Sequence, residues 1–177
     1  MAAKVKLSEI IDAIEMMMDE CTPRLDTKTG QVCYVTNDVM RDVEEGDLAE
    51  LLKDCAEWQR GEYEIADAML REPERFLDLP DKHEVDEYGM MREFAETWKD
   101  ERVGNELLRA ISGRGAFRYF KDTVHRYGIE KSWYAFRADQ FRRVAVEWCK
   151  GNGLEWEEGS PRNGVGGVRD PGFRVNE

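Results

Sequence analysis

Apolar residues fall on two periods along this chain, and the change from one to the other marks out its elements. Leu7, Ile10, Ile11 and Ile14, continued by Met17 or Met18, recur at helical spacing behind Ser8 with acids on the opposite face, and predict an amphipathic first helix. Pro23 interrupts it, and two short segments around 22–25 and 31–36 flank Asp26-Thr27-Lys28-Thr29-Gly30, a polar run ending in the Gly that a hairpin turn favours. The second segment, Gln-Val-Cys-Tyr-Val-Thr, has the β-branched and aromatic content of a strand. Asp47-Leu48-Ala49-Glu50 has capping-box spacing ahead of Leu51, Leu52 and Cys55, so a helix is expected from Asp47, with a break at Gly61. A further helix carries Ile65, Ala66 and Met69 to Arg71-Glu72-Pro73, and Arg75-Phe76-Leu77-Asp78-Leu79, closed by Pro80, reads as a third strand.

The second half is more regular. Val85, Tyr88, Met91, Phe94, Ala95 and Trp98 make one helical stripe, leaving Glu84, Glu87 and Glu93 toward solvent or a partner, and Val103, Leu107, Leu108 and Ile111 make a short successor. Beyond Ser112-Gly113-Arg114-Gly115, an apolar row of Phe117, Phe120, Val124 and Tyr127 is expected to face the core. A basic row of Arg114, Arg118, Lys121 and His125 lies about a third of a turn away, along its border. After Gly128 a long helix carries Trp133, Tyr134, Phe136, Phe141, Val144, Ala145 and Trp148 to Gly151-Asn152-Gly153, and Leu154-Glu155-Trp156-Glu157 reads as a last edge strand. From Gly159 onward, five Gly and two Pro in nineteen residues with one aromatic cannot build a core. The expectation is an α+β fold: a mostly helical single domain over 1–158 and a flexible Gly/Pro-rich tail over 159–177. The domain combines an N-terminal helix and four or five others with a small antiparallel sheet of the hairpin and the 76–79 strand, closed by 154–157.

Composition narrows the class. With 177 residues, 41% of them hydrophobic, the chain is long enough for one sizeable core. No stretch approaches the roughly 20 apolar residues of a membrane helix, and acids interrupt the apolar pattern of the N-terminus where a signal peptide would be uncharged, so a cytoplasmic setting is expected. Cys21, Cys33, Cys55 and Cys149 show neither a C-x-x-C pair nor zinc-finger spacing with His83 and His125, and read as small buried or half-buried thiols in a reducing compartment. No metal site or cofactor is expected.

Charge is the informative property. The net charge of −12 argues against a general nucleic-acid coat. It hides an asymmetry: residues 1–101 hold 12 Lys and Arg against 28 Asp and Glu, whereas residues 102–143 hold 10 against 4, eight of the ten being Arg. Two readings are open. The basic helices pair with the acidic ones across the fold, or they form an anion-binding face.

The best candidate site is Gly113–Asp122, where Gly on both sides of Arg114 lets a ligand approach and Arg118, Lys121 and His125 extend a basic field. It lacks a phosphate-loop or dinucleotide fingerprint, and a tight interhelix turn whose arginines pair with the Asp81–Glu87 segment accounts for the same residues. Asp81, Glu84, Asp86 and Glu87, beside His83, are secondary acidic candidates, with Glu84 and Glu87 on one side of a helix where both could reach a cation; helix-start electrostatics explain them equally. His125 as a proton shuttle and Ser112 or Cys149 as nucleophiles find no base and orienting partner in the spacing.

Taken in order, the Asp26–Gly30 turn before a strand, Trp58-Gln59, Phe76-Leu77-Asp78-Leu79-Pro80, Gly113-Arg114-Gly115-Ala116-Phe117-Arg118-Tyr119-Phe120-Lys121-Asp122, Trp133-Tyr134-Ala135-Phe136 and Trp148-Cys149 resemble the bacterial Uncharacterised Protein Family 0158 over about residues 7–157. The resemblance implies a bacterial or phage-borne cytoplasmic protein and brings no activity, cofactor or catalytic residue. The expected function is a non-enzymatic interaction or regulatory module that docks a charged macromolecular partner, a protein, through the basic helical face or the acidic N-terminal half. Nucleic acid would engage only the local basic patch, and no membrane is involved. The alternative is a small enzyme or sensor binding a phosphorylated metabolite at the Gly113–Lys121 turn.

Overall fold

Side-chain caps fix several helix starts where the chain's polar residues placed them. In the computed structural model, which describes residues 4–16, 20–81 and 84–159, the order is β1 (Val5–Lys6), α1 (Leu7–Glu15), β2 (Cys21–Asp26), β3 (Gln31–Thr36), α2 (Asn37–Glu45), α3 (Leu48–Asp54), α4 (Arg60–Arg71), β4 (Phe76–Asp78), α5 (Glu87–Thr97), α6 (Glu101–Ala110), α7 (Ala116–Arg126), α8 (Glu130–Gly151) and β5 (Trp156–Glu157). Short 3-10 turns stand at Glu57–Gln59 and Pro73–Arg75. Thr36, Asp47, Asp86 and Asp100 each accept a backbone N–H in the first turn of α2, α3, α5 and α6, satisfying donors that a helix start leaves open. Met17, Met18, His83 and the tail from 160 onward lie outside the described residues.

The fold is α+β and mostly helical. The hairpin forms as expected, with β2 paired antiparallel to β3 and then, on its other edge, to β4. Residues 154–157 do not close that sheet. Their β5 pairs in parallel with β1, a two-residue strand that the pattern did not reveal, and so ties the segment after α8 to the one before α1. The helices among the described residues number eight, more than the expected tally. The unforeseen one is α2, whose apolar face is short: Val39 and Val43 are buried one turn apart, with Met40 half-buried beside them. Gly61 is not a break: it sits in the first turn of α4, and the interruption comes earlier, where Cys55 and Ala56 are extended.

Two apolar clusters organise the molecule. The larger gathers α1, α5, α6, α7 and α8 around Phe94, Phe120 and Trp133, whose rings meet edge-on with centroids 4.7–6.2 Å apart. The smaller packs Val35, Val39, Val43, Tyr63, Ala66, Met69 and Phe76 between β3, α2 and α4, with α3 against them. Between the clusters, Trp148 of α8 donates its indole N–H to the Asp78 carbonyl of β4 at 3.2 Å.

Candidate functional site

The Gly113–Asp122 segment is built as a tight turn between two helices. Ser112 ends α6 by donating its hydroxyl to the Leu108 carbonyl at 2.7 Å. Gly115 then takes φ of +77°, a left-handed conformation that side chains rarely adopt, and opens α7. The Tyr119 ring lies over this glycine, so that a Cβ on Gly115 would meet its Cε2 at 3.2 Å.

The two rows on α7 divide differently from the expectation. Phe120 and Val124 are buried, but Phe117 is 47% exposed, and its expected place inward is taken by Thr123, which is buried and donates its hydroxyl to the Tyr119 carbonyl at 2.8 Å. The physical reason lies in the partner helices: α6 and α8 converge on the side of Phe120, Thr123 and Val124, leaving the Phe117 edge uncovered. Arg114, Arg118 and His125 are exposed and Lys121 is half-buried. Tyr119, 56% exposed, joins Arg109, Arg114 and Arg126 in lining a cleft of about 530 Å³ between α6 and α7. Glu106 lies in the same cleft and pairs with Arg109 at 3.2 Å and Arg126 at 3.9 Å. Arg114 and Arg118 form no ion pair and no side-chain hydrogen bond among the described residues.

The arginines are therefore not alike: Arg109, Arg126 and Arg142 pair with nearby acids at the surface, and two further kinds stand apart from them. Arg137 of α8 behaves as internal pairing requires, reaching Glu15 of α1 at 2.7 Å and Glu87 of α5 at 2.8 Å, with its guanidinium over the Phe141 ring. Arg114 and Arg118 do not pair with the Asp81–Glu87 segment. That segment is occupied otherwise: Asp81 and Glu84 exchange backbone N–H to carboxylate bonds of 2.9 Å each, Asp86 caps α5 through the Gly89 N–H, and Glu87 holds Arg137. Glu84 lies in the turn ahead of α5 rather than on it, so it does not share a helix face with Glu87. Among the described residues no group of three or more His, Cys, Asp or Glu is placed to hold a metal ion.

The remaining reactive groups have quiet surroundings. His125 Nδ1 lies 2.6 Å from Glu130 at the start of α8, whose carboxyl is held below its ordinary range by its own backbone N–H and by this contact. The Cys149 thiol is wholly buried in the larger cluster, and burial pushes it up to about 11, which keeps it protonated and unreactive. Cys21, Cys33 and Cys55 are half-buried free thiols.

Two features of the structure had no counterpart in the pattern. Asp26, read as a turn residue, is 3% exposed and receives a two-pronged bond from Arg75, Nε and Nη2 each at 2.8 Å. Trp58 is 78% exposed and touches no other ring. An acid and an arginine 49 residues apart carry no shared spacing, and a tryptophan's exposure is set by what fails to cover it.

Several of the segments named above meet in the fold: Phe120 of the Gly113–Asp122 run meets Trp133 of the Trp133–Phe136 run edge-on, and Trp148 bonds the 76–80 run. A family model described as Uncharacterised protein family (UPF0158) matches residues 3–158. The chain belongs to this family. No curated protein and no solved structure matches it. Of the aromatic residues in those segments of this UPF0158 member, Phe120, Trp133 and Trp148 serve the core, while Phe117, Tyr119 and Trp58 stand outside it. Among the described residues no helix is long and apolar enough to cross a membrane.

Proposed function

We propose that this UPF0158 chain is a non-enzymatic interaction module that docks an anionic macromolecular partner, a protein with an acidic surface, on the face formed by α7 and the turn before it. The observation that carries this reading is the pair Arg114 and Arg118, exposed and without an acidic partner in a molecule that has acids to spare. Unpaired guanidiniums keep their planar fork available for carboxylates, and exposed Phe117 and Tyr119 beside them add the apolar contact that interface centres favour. The three reactive groups weighed here are otherwise engaged: Ser112 bonds a backbone carbonyl, Cys149 is buried and protonated, and His125 lies against Glu130.

The test is gentle affinity purification from the native host, with and without nuclease, comparing the wild-type chain with Arg114→Ala/Arg118→Ala. A stoichiometric, nuclease-resistant protein partner retained by the wild type and lost from the variant is the expected result. Equal recovery by both, or a bare chain carrying a phosphorylated small molecule, would overturn the reading, the latter in favour of a ligand in the Arg109, Arg114 and Arg126 cleft.

A further inference from the structure

Resting on that reading of the α7 face, we infer that the anionic partner is a second copy of this chain, whose α2–α4 lobe supplies the acids and the aromatic ring that Arg114 and Arg118 lack in their own molecule. Residues 37–74 hold 13 Asp and Glu against four Lys and Arg. Within this lobe Glu50 and Asp54, one turn apart on α3, and Glu57 just beyond it are exposed and form no ion pair, although exposed Lys53 stands among them. Next to Glu57 is Trp58, the most exposed tryptophan of the described residues.

The Trp58 turn is fixed despite that exposure. The Gln59 side chain accepts the Ala56 N–H at 3.3 Å, and Arg60 donates to the Leu52 carbonyl at 3.0 Å, so the backbone carrying the indole is tied to α3 on one side and begins α4 on the other. A ring held outward on a fixed turn loses little freedom on binding. Tryptophan is the best ring partner for a guanidinium, and flanking carboxylates offer that guanidinium its strongest hydrogen bonds. The lobe thus presents what an arginine pair seeks.

A single molecule does not bring the two faces together. The helices α6 and α7 pack chiefly on α5 and α8, whereas α2 and α3 pack on α4 and β3. The match is therefore between different molecules, head to tail, and such a contact between unlike patches grows into rings or open chains. The net charge of −12 on each copy opposes approach at long range, so added salt first screens that repulsion and then, at high concentration, weakens the local pairs.

Sedimentation velocity on the full chain, over a range of concentrations and salt, tests this directly. The wild type is expected to form species larger than a monomer as concentration rises. Arg114→Ala/Arg118→Ala and Asp54→Asn/Glu57→Gln/Trp58→Ala, each with unchanged circular dichroism, are expected to sediment as monomers alone and as a one-to-one dimer when mixed, because each retains the face the other has lost. A wild type that is monomeric throughout, or an assembly that survives in both variants, would overturn the inference. Retention on immobilised poly-glutamate separates the two levels: a monomeric chain whose retention still depends on Arg114 and Arg118 refutes self-docking and leaves the anionic-partner reading standing, whereas a monomeric chain with no such retention removes both.

Discussion

The Asp26 carboxylate shows how one residue can carry two elements. It sits at the end of β2, takes both prongs of Arg75, and accepts the Lys28 N–H at 2.9 Å and the Thr29 hydroxyl at 3.0 Å, so that the hairpin turn and the edge of β4 are held through one group. These donors, led by Arg75, lower its pKa to about 2 from an ordinary value of 3.8. A carboxylate depressed in the folded state takes up its proton first in the unfolded chain. Its contribution, about 2 kcal/mol, is thus present above pH 4 and is lost as pH falls from about 4 to about 2. Asp26→Asn leaves Arg75 only its longer contact with exposed Glu72, at 3.4 Å, and is expected to cost about 3 kcal/mol at neutral pH. Urea midpoints of the two proteins should converge toward pH 2; a gap that stays constant would assign the loss to packing.

At the scale of elements, glycine positions discriminate between an open helix face and a crowded crossing. Gly104 of α6 faces α5, where a Cβ would come within 2.6 Å of the Ala95 carbonyl oxygen, a backbone atom that moves only with its helix. Gly104→Ala is expected to destabilise by about 2 kcal/mol, overpacking outweighing the roughly 1 kcal/mol of helix propensity gained. Gly61, in the first turn of α4, has nothing within 4 Å of its Cβ position, and Gly61→Ala is expected to raise stability by about 0.5 kcal/mol. Thermal melts of the pair settle both signs together. In sequence the two glycines look alike, and the pattern chose the wrong one as significant. The sequence reading also missed α2, whose apolar face is one turn long, Val39 and Val43 with half-buried Met40, and which packs against α4 and β3.

For the whole molecule, Arg137 is the cation of the basic island that joins three helices. Half-buried, it ties α1 and α5 to α8 through Glu15 and Glu87. Arg137→Ala is expected to cost about 2 kcal/mol, and Arg137→Lys to recover less than half of it, because one ammonium cannot reproduce a fork directed at two carboxylates. Chemical denaturation reads both, and full recovery by lysine would reduce the contact to simple charge. The basic island is therefore not uniform: Arg137 is an internal clamp, Arg109, Arg126 and Arg142 pair with nearby acids, and Arg114 and Arg118 face outward without one.

The sequence by itself determined the period of nearly every long helix, the hairpin and its third strand, and the segregation of charge, because each is a local pattern that burial on one face imposes on neighbouring residues. It also pointed to the family, whose model matches residues 3–158. Only the tertiary structure decided that Phe117 faces out and Thr123 in, that β5 pairs with β1, that Asp26 meets Arg75, and that Arg137 is paired while Arg114 and Arg118 are free of acids. Those outcomes depend on which surfaces converge after the chain folds, and long-range convergence leaves no period in the sequence.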